Sequence, residues 1–231
     1  MPTSTGRDAP SSAADYLPSR GGLPALRRAA ADCQGCALFE GATRTVFGSG
    51  TRTARIVLVG EQPGDQEDRS GEPFVGPAGR LLRKALAEAG IEEDDAYFTN
   101  AVKHFKFAQS APGKRRIHKP PSLHEMTACR PWLSAELKVI DPELVVALGA
   151  TAGKALLGGS FRVNEQRGLL LPVPSWEELG HSARADASVT RDGAHRLVAT
   201  VHPSAVLRAT DRQGAYGGLV SDLRVAADAL K

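Results

Sequence analysis

The sequence predicts an α/β protein built on a parallel sheet covered by helices, and two observations carry that prediction. Four short apolar, β-branched runs stand at residues 55–60, 97–102, 144–149 and 197–201. Helical patterns fill most of the intervals between them, and strands alternating with helices are the mark of a parallel sheet. Size agrees with one domain, because 231 residues, 42% hydrophobic and 24% charged, allow a single substantial core.

Residues 1–20 are rich in Ser, Ala, Pro and Gly and lack apolar periodicity, which predicts a disordered leader before a domain at 21–231. A helix is expected over 23–32, leading into the turn Cys33-Gln34-Gly35-Cys36, with loop from there to Arg55. Further helices are expected over 78–89, 123–140, 151–157 and 216–230. Residues 171–196 show no clear period and predict a surface excursion. No apolar stretch is long enough to span a bilayer, and the amino terminus lacks the regions of a secretory signal. A cytoplasmic monomer without a membrane partner is therefore expected.

The formal charge of +3 is small, so any basic surface has to be local. Residues 103–119 supply one, with six Lys or Arg residues and no acid. The three cysteines, Cys33, Cys36 and Cys129, form an odd count that favours metal or redox chemistry over a disulfide framework. Spacing alone admits zinc as readily as an iron–sulfur cluster.

What stands at the end of each predicted strand points to a site: Glu61-Gln62, Asn100, Ala150-Thr151 and His202-Pro203. Ligands of open α/β sheets bind outside the carboxyl ends of the strands, so three strands are expected to deliver Glu61, Asn100 and His202 to one edge. Any one of them alone is an ordinary polar loop residue, and it is their joint placement that carries weight. The first strand runs into Gly60-Glu61-Gln62-Pro63-Gly64-Asp65 and a glycine-rich passage to Gly79, a composition that lets backbone approach a ligand. The dinucleotide and P-loop patterns are absent. Phe74, between Pro73 and Gly76, is either a core plug or a rigid face on which a flat base can stack.

Residues 60–82, with Asn100, the Cys33/Cys36 pair and His202-Pro203-Ser204-Ala205-Val206-Leu207-Arg208, resemble the family 4 uracil-DNA glycosylases in the same order over roughly residues 23–230. The resemblance implies a three-layer α/β/α sandwich with a central four-stranded parallel sheet, a 4Fe–4S cluster, and a pocket that takes uracil extruded from DNA. It implies that Phe74 stacks on the base and that Asn100 bonds its edge. Gly60, Gln62, Gly64 and Asp65 would belong to the pocket wall. His202 would stabilise negative charge developing on uracil, while Ser204 and Arg208 would face the DNA. Cys33, Cys36 and Cys129 would hold the cluster, with His104 in the place of the family's remaining cysteine; a histidine ligand has precedent in Rieske centres.

The chain departs from that family after His104, where residues 105–120 form a longer, basic connection. Its Lys114-Arg115-Arg116-Ile117-His118 is similar to the signature loop of the UdgX branch, bacterial proteins resembling family 4 that become covalently joined to uracil-containing DNA. That likeness implies that His118 captures the sugar once uracil leaves, that Glu61 orients it, and that Gln62 pins the loop. Lys114, Arg115 and Arg116 would contact phosphates or hold the loop. The expected activity is uracil excision from DNA, single-stranded DNA in the first place, ending in a His118–C1′ bond after one turnover. The alternatives are an ordinary turnover glycosylase, in which a water positioned by Glu61 attacks, and a non-enzymatic iron–sulfur DNA-binding protein.

Overall fold

The computed structural model describes residues 12–111, 113–173, 175–176, 179 and 195–231. Among them the strands are β1 (Ile56–Gly60), β2 (Ala96–Asn100), β3 (Phe107–Ala108), β4 (Ile117–His118), β5 (Leu144–Leu148), β6 (Leu170–Pro172) and β7 (Arg196–Thr200). The main sheet runs in the order β2-β1-β5-β7-β6. Its first four strands are parallel, as expected, and β6 adds an antiparallel edge strand that was not. A separate small hairpin pairs β3 with β4.

Near-continuous apolar runs form the parallel strands because both faces of the sheet are covered. On one face Val57, Val59, Val145, Ala147 and Leu197 pack with Leu133 and Leu137 of helix Leu123–Ile140 and with Leu156 of helix Gly149–Leu157. On the other, Ile56, Leu58, Val146 and Val198 pack with Leu82 and Leu86 of helix Pro77–Ala89 and with Leu219 and Leu223 of helix Arg212–Ala229. Alternate side chains of each strand thus enter opposite cores, which gives the three-layer α/β/α arrangement. The register sets Gly60 beside Asn100, Val59 beside Ala147 and Leu148 beside Thr200, so the strands end nearly level and the residues that follow them emerge together.

Local chemistry explains the helix boundaries. Ser122 and Glu125 make a capping box before Leu123, so that helix occupies the expected span. Pro77 opens the preceding long helix and Gly90, at φ 81°, closes it. The last helix starts at Arg212, earlier than expected, because the Asp211 side chain caps it by accepting from the Gly214 N–H at 2.9 Å. Gly214, Gly217 and Gly218 dilute the helical pattern of that first stretch in the sequence.

Two regions differ from expectation. The span 171–196 begins as the sheet edge, and Val173, Trp176 and Leu179 are buried in the core, so this part is not a surface excursion. Residues 180–194 lie outside the described residues. Within the stretch read as a leader, residues 1–11 are also outside them, but Ala13–Tyr16 form a 3-10 turn whose Ala13 is buried with Leu26, Cys33 and Trp132. No described helix is long and apolar enough to cross a membrane.

Candidate active site

Beyond the carboxyl ends of the parallel strands lies a cavity of about 470 Å³, whose lining includes Glu61, Phe74, Asn100, His118, Thr151 and His202. The three residues expected to meet at the sheet edge therefore do meet. Gly149, directly after β5, has φ 88°, and a Cβ there would stand 3.0 Å from the Cβ of His202. Glycine at that position lets the His202 loop close over the end of the sheet.

Phe74 is held by its backbone as much as by its ring. It adopts φ 56°, a left-handed conformation rare for a bulky residue, and is buried. Arg83 Nη1 donates to its carbonyl at 2.7 Å, and a Cβ at Gly79 would lie 1.7 Å from that same oxygen. The ring packs against Phe98 with centroids 5.9 Å apart and lies 6.5 Å from the His202 ring at an interplanar angle of 25°. Gly60 sits behind this arrangement, where a side chain would meet Asn100 Oδ1 at 2.3 Å and Phe74 Cζ at 2.7 Å. The close fit of Gly60, Phe74 and the buried Asn100 leaves little freedom in the floor of the site.

His202 is a neutral donor. Its Nδ1 accepts the backbone N–H of Ser204 at 3.1 Å, which requires Nδ1 to be unprotonated and leaves the ring hydrogen on Nε2. Burial, helped by the Arg208 and His118 charges, holds its pKa down to about 4. Ser204 and Arg208 themselves line the cavity beside it.

The loop carrying His118 is clasped to this frame. Gln62 Nε2 donates to the carbonyls of Lys106 and Lys119, each at 3.1 Å, and so closes the neck of the β3–β4 hairpin. Arg116 reaches Asp65 Oδ1 at 2.5 Å and Asp68 Oδ2 at 2.6 Å, and its guanidinium lies over Phe105 and Phe107. His118 Nε2 then stands 3.3 Å from Glu61 Oε1, while Thr151 Oγ1 donates to Glu61 Oε2. Burial lowers the His118 pKa and Arg208 lowers it further, against the opposing pull of Glu61.

Several expected placements change. Of the two roles expected for Arg116, the structure shows the one that holds the loop: its side chain is 8% exposed and its charge is spent on Asp65 and Asp68. Asp65 is engaged by Arg116 and by Arg69 at 2.9 Å and does not line the cavity, and neither does Gly60. Lys103 is buried against Glu136 at 2.5 Å, and Lys106 pairs with Glu125 at 2.8 Å. Of the basic run, Lys114, Arg115 and Lys119 remain exposed. One residue has no place in the sequence reading, Glu67, and one stands there without a role, Thr151. Glu67 receives the N–H groups of Gly64 at 3.1 Å and Gly76 at 2.8 Å, stapling the glycine-rich passage, and the spacing Gly64-x-x-Glu67 is its capping-box signal. Thr151 had its signal in its position after the third predicted strand.

The family model that matches is that of the Uracil DNA glycosylase superfamily, and it spans residues 47–224. The chain belongs to the uracil DNA glycosylase superfamily. It is 36% identical over 177 residues to a type-4 uracil-DNA glycosylase of Thermotoga maritima, covering 76% of this chain and 78% of that protein. It is 32% identical over 194 residues to a type-4 uracil-DNA glycosylase of Pyrobaculum aerophilum, covering 84% and 89%. With a type-5 uracil-DNA glycosylase of the same organism the identity is 34% over 123 residues, or 47% and 50% of the two chains.

In this superfamily member Cys33 and Cys129 share one buried cluster with Trp132 and Phe47. Cys33, Cys36 and Cys129 are buried and free of disulfides. Trp132 Nε1 donates to Cys33 Sγ and the Lys103 backbone N–H to Cys129 Sγ, both at 3.2 Å. Burial pushes the Cys129 thiol up to about 12, and the charges of Cys36 and Cys33 are near enough to raise it further. Burial raises Cys36 as well. Among the described residues no group of three or more His, Cys, Asp or Glu side chains is arranged to hold a single metal ion. His104 is buried beside Thr45, with Nε2 2.8 Å from Thr45 Oγ1, and burial holds its pKa down to about 4. Three buried thiols, with N–H donors on Cys33 and Cys129, are a donor set that suits a soft metal site, zinc or iron–sulfur alike.

Proposed function

We propose that the protein excises uracil from DNA and then bonds to the strand it has opened, His118 taking the place of the departed base on C1′. The relatives' names support the first half, and the placement of His118 on Glu61 at the mouth of the cavity carries the second. Uracil would enter extruded from its strand, stack on Phe74 and be read by Asn100. Single-stranded DNA is the preferred substrate in this reading, because a base already unpaired is cheapest to extrude.

As the glycosidic bond breaks, its electron pair leaves with uracil. The neutral Nε2–H of His202 donates to the oxygen on which that charge collects, and a preorganised donor of this kind is typically worth about 10²–10³ in rate. C1′ is left electron-poor. An imidazole nitrogen of His118 gives its lone pair to C1′, and the proton on the ring's other nitrogen is released as the adduct becomes neutral. Glu61 faces the positive charge that the imidazole and the sugar share during this step. A held nucleophile outcompetes water through its effective concentration, and a carbon–nitrogen bond to imidazole offers no easy departure.

Cys33, Cys36 and Cys129, with His104 as the fourth ligand, would hold a 4Fe–4S cluster. When bound, the cluster supplies a rigid cross-link between the amino-terminal helix Gly22–Ala30, the segment after β2 and helix Leu123–Ile140. Iron and sulfide analysis with a visible spectrum tests the assignment, and a colourless protein with one zinc contradicts it.

The activity is tested by incubating the protein with a uracil-containing single strand and running a denaturing gel. A shifted band that survives heat and detergent is expected, and His118→Ser removes it. An unchanged band in that variant rules out His118 as the nucleophile.

A further inference from the structure

We propose that Thr151 is a positioning residue for the covalent step: its hydroxyl holds Glu61 so that one carboxylate oxygen faces His118, and this decides how the opened sugar is divided between His118 and water. The inference rests on the capture reading above and deepens it.

The geometry assigns a different partner to each oxygen of Glu61. Oε2 accepts the Thr151 hydroxyl, and Oε1 stands 3.3 Å from His118 Nε2. Thr151 lies in the first turn of helix Gly149–Leu157, directly after the buried strand β5, so its position is set by the sheet and not by the loop. Glu61 has a flexible side chain whose rotamer freedom must be restrained to face His118, and it is 22% exposed. A hydroxyl fixed to the sheet removes that freedom. Held this way, the carboxylate faces the charge that the imidazole carries as it bonds. His118 itself is 50% exposed on a hairpin of two-residue strands, so the rigidity required for attack has to come from what it touches.

The chemistry then branches at one point. In both branches the C1′–N1 bond breaks and its electron pair leaves on uracil. In one, the His118 lone pair forms the C1′–N bond and the imidazole releases its remaining proton. In the other, water forms a C1′–O bond, loses a proton and leaves a free abasic strand. Without the Thr151 hydroxyl, Glu61 turns away, His118 loses its partner and the second branch gains.

Thr151→Val and Thr151→Ser separate this role from packing. Valine keeps the side chain's shape and removes the donor, whereas serine keeps the donor and removes a methyl group. Each variant is incubated with a uracil-containing single strand, and the covalent band and the alkali-cleavable free abasic strand are quantified together. Their ratio counts only strands that have lost uracil, so partial misfolding lowers both products and leaves it unmoved. Thr151→Ser is expected to divide its product as the unmodified protein does. Thr151→Val is expected to lower the ratio on the order of 10-fold, the effect of losing a hydrogen bond to a charged group. Valine matching the unmodified protein, or serine impaired as much as valine, overturns the assignment. Absence of a covalent band in the unmodified protein overturns the capture reading and this inference with it; a normal band unaffected by valine overturns this inference alone.

Discussion

The cavity floor and the capture loop are built by opposite means. Asn100 and Phe74 are 3% and 5% exposed and are fixed by strand register, by Gly60 and by the helix that begins at Pro77. The loop pairs only two residues on each strand and leaves His118 half exposed. It keeps its place through Gln62 at its neck, Arg116 on Asp65 and Asp68, and Glu61 on His118 itself. In the proposed reading, recognition of the base is thus part of the core, whereas capture is an attachment held by a few tertiary contacts. The two should fail separately when perturbed.

The largest expected effect falls beside the floor, at His202, whose ring lies 6.5 Å from that of Phe74. His202→Ala should slow uracil release on the order of 10²–10³-fold, measured under single turnover, because in the proposed mechanism it removes the donor that meets the developing charge. Arg116→Ala should instead spare most of the release and lower the rate of covalent capture on the order of 10-fold. It also leaves Asp68, whose side chain is fully buried, without its guanidinium partner, so a loss of about 3 kcal/mol in unfolding stability is expected by denaturant titration. Equal losses of release and capture in this variant would break the comparison.

Smaller effects sharpen it. Capture requires neutral His118, whose pKa is lowered from the ordinary histidine value, so capture should persist at pH 6.5 and fall only as pH drops through that lowered value. Arg208 contributes to the lowering, so Arg208→Gln should raise the His118 pKa and move the acid limb of capture to higher pH. The smallest effect belongs to the exposed cations. Lys114→Gln and Arg115→Gln should each reduce the salt dependence of DNA binding by about one unit of slope, and Arg116→Gln should not.

Much of this was legible in the sequence, and what was not has a physical reason. Apolar runs of strand length, each ending in a polar residue, expose the sheet and its functional edge, because a doubly covered parallel strand is continuous in pattern and its last residue is not. Glu61, Asn100 and His202 were readable for that reason. For Arg116 the sequence leaves phosphate contact and loop holding open, because its partners, Asp65 and Asp68, lie about fifty residues earlier in the chain and nothing local in Lys114-Arg115-Arg116 distinguishes the inward guanidinium from the outward one. Lys103 was counted as surface charge although it is fully buried, since its partner Glu136 lies on another element. The edge strand β6 is three residues long, one of them Pro172, and that is too short to show a period.

The proposed capture puts a single bond between His118 and the sugar. Intact mass measurement of the heat-stable adduct, followed by peptide mapping, tests it most directly. The account predicts the summed mass of protein and oligonucleotide less one uracil, with the nucleotide modification on the peptide bearing His118. Uracil released with all of the protein at its unmodified mass, or a modification mapped to another residue, would contradict it.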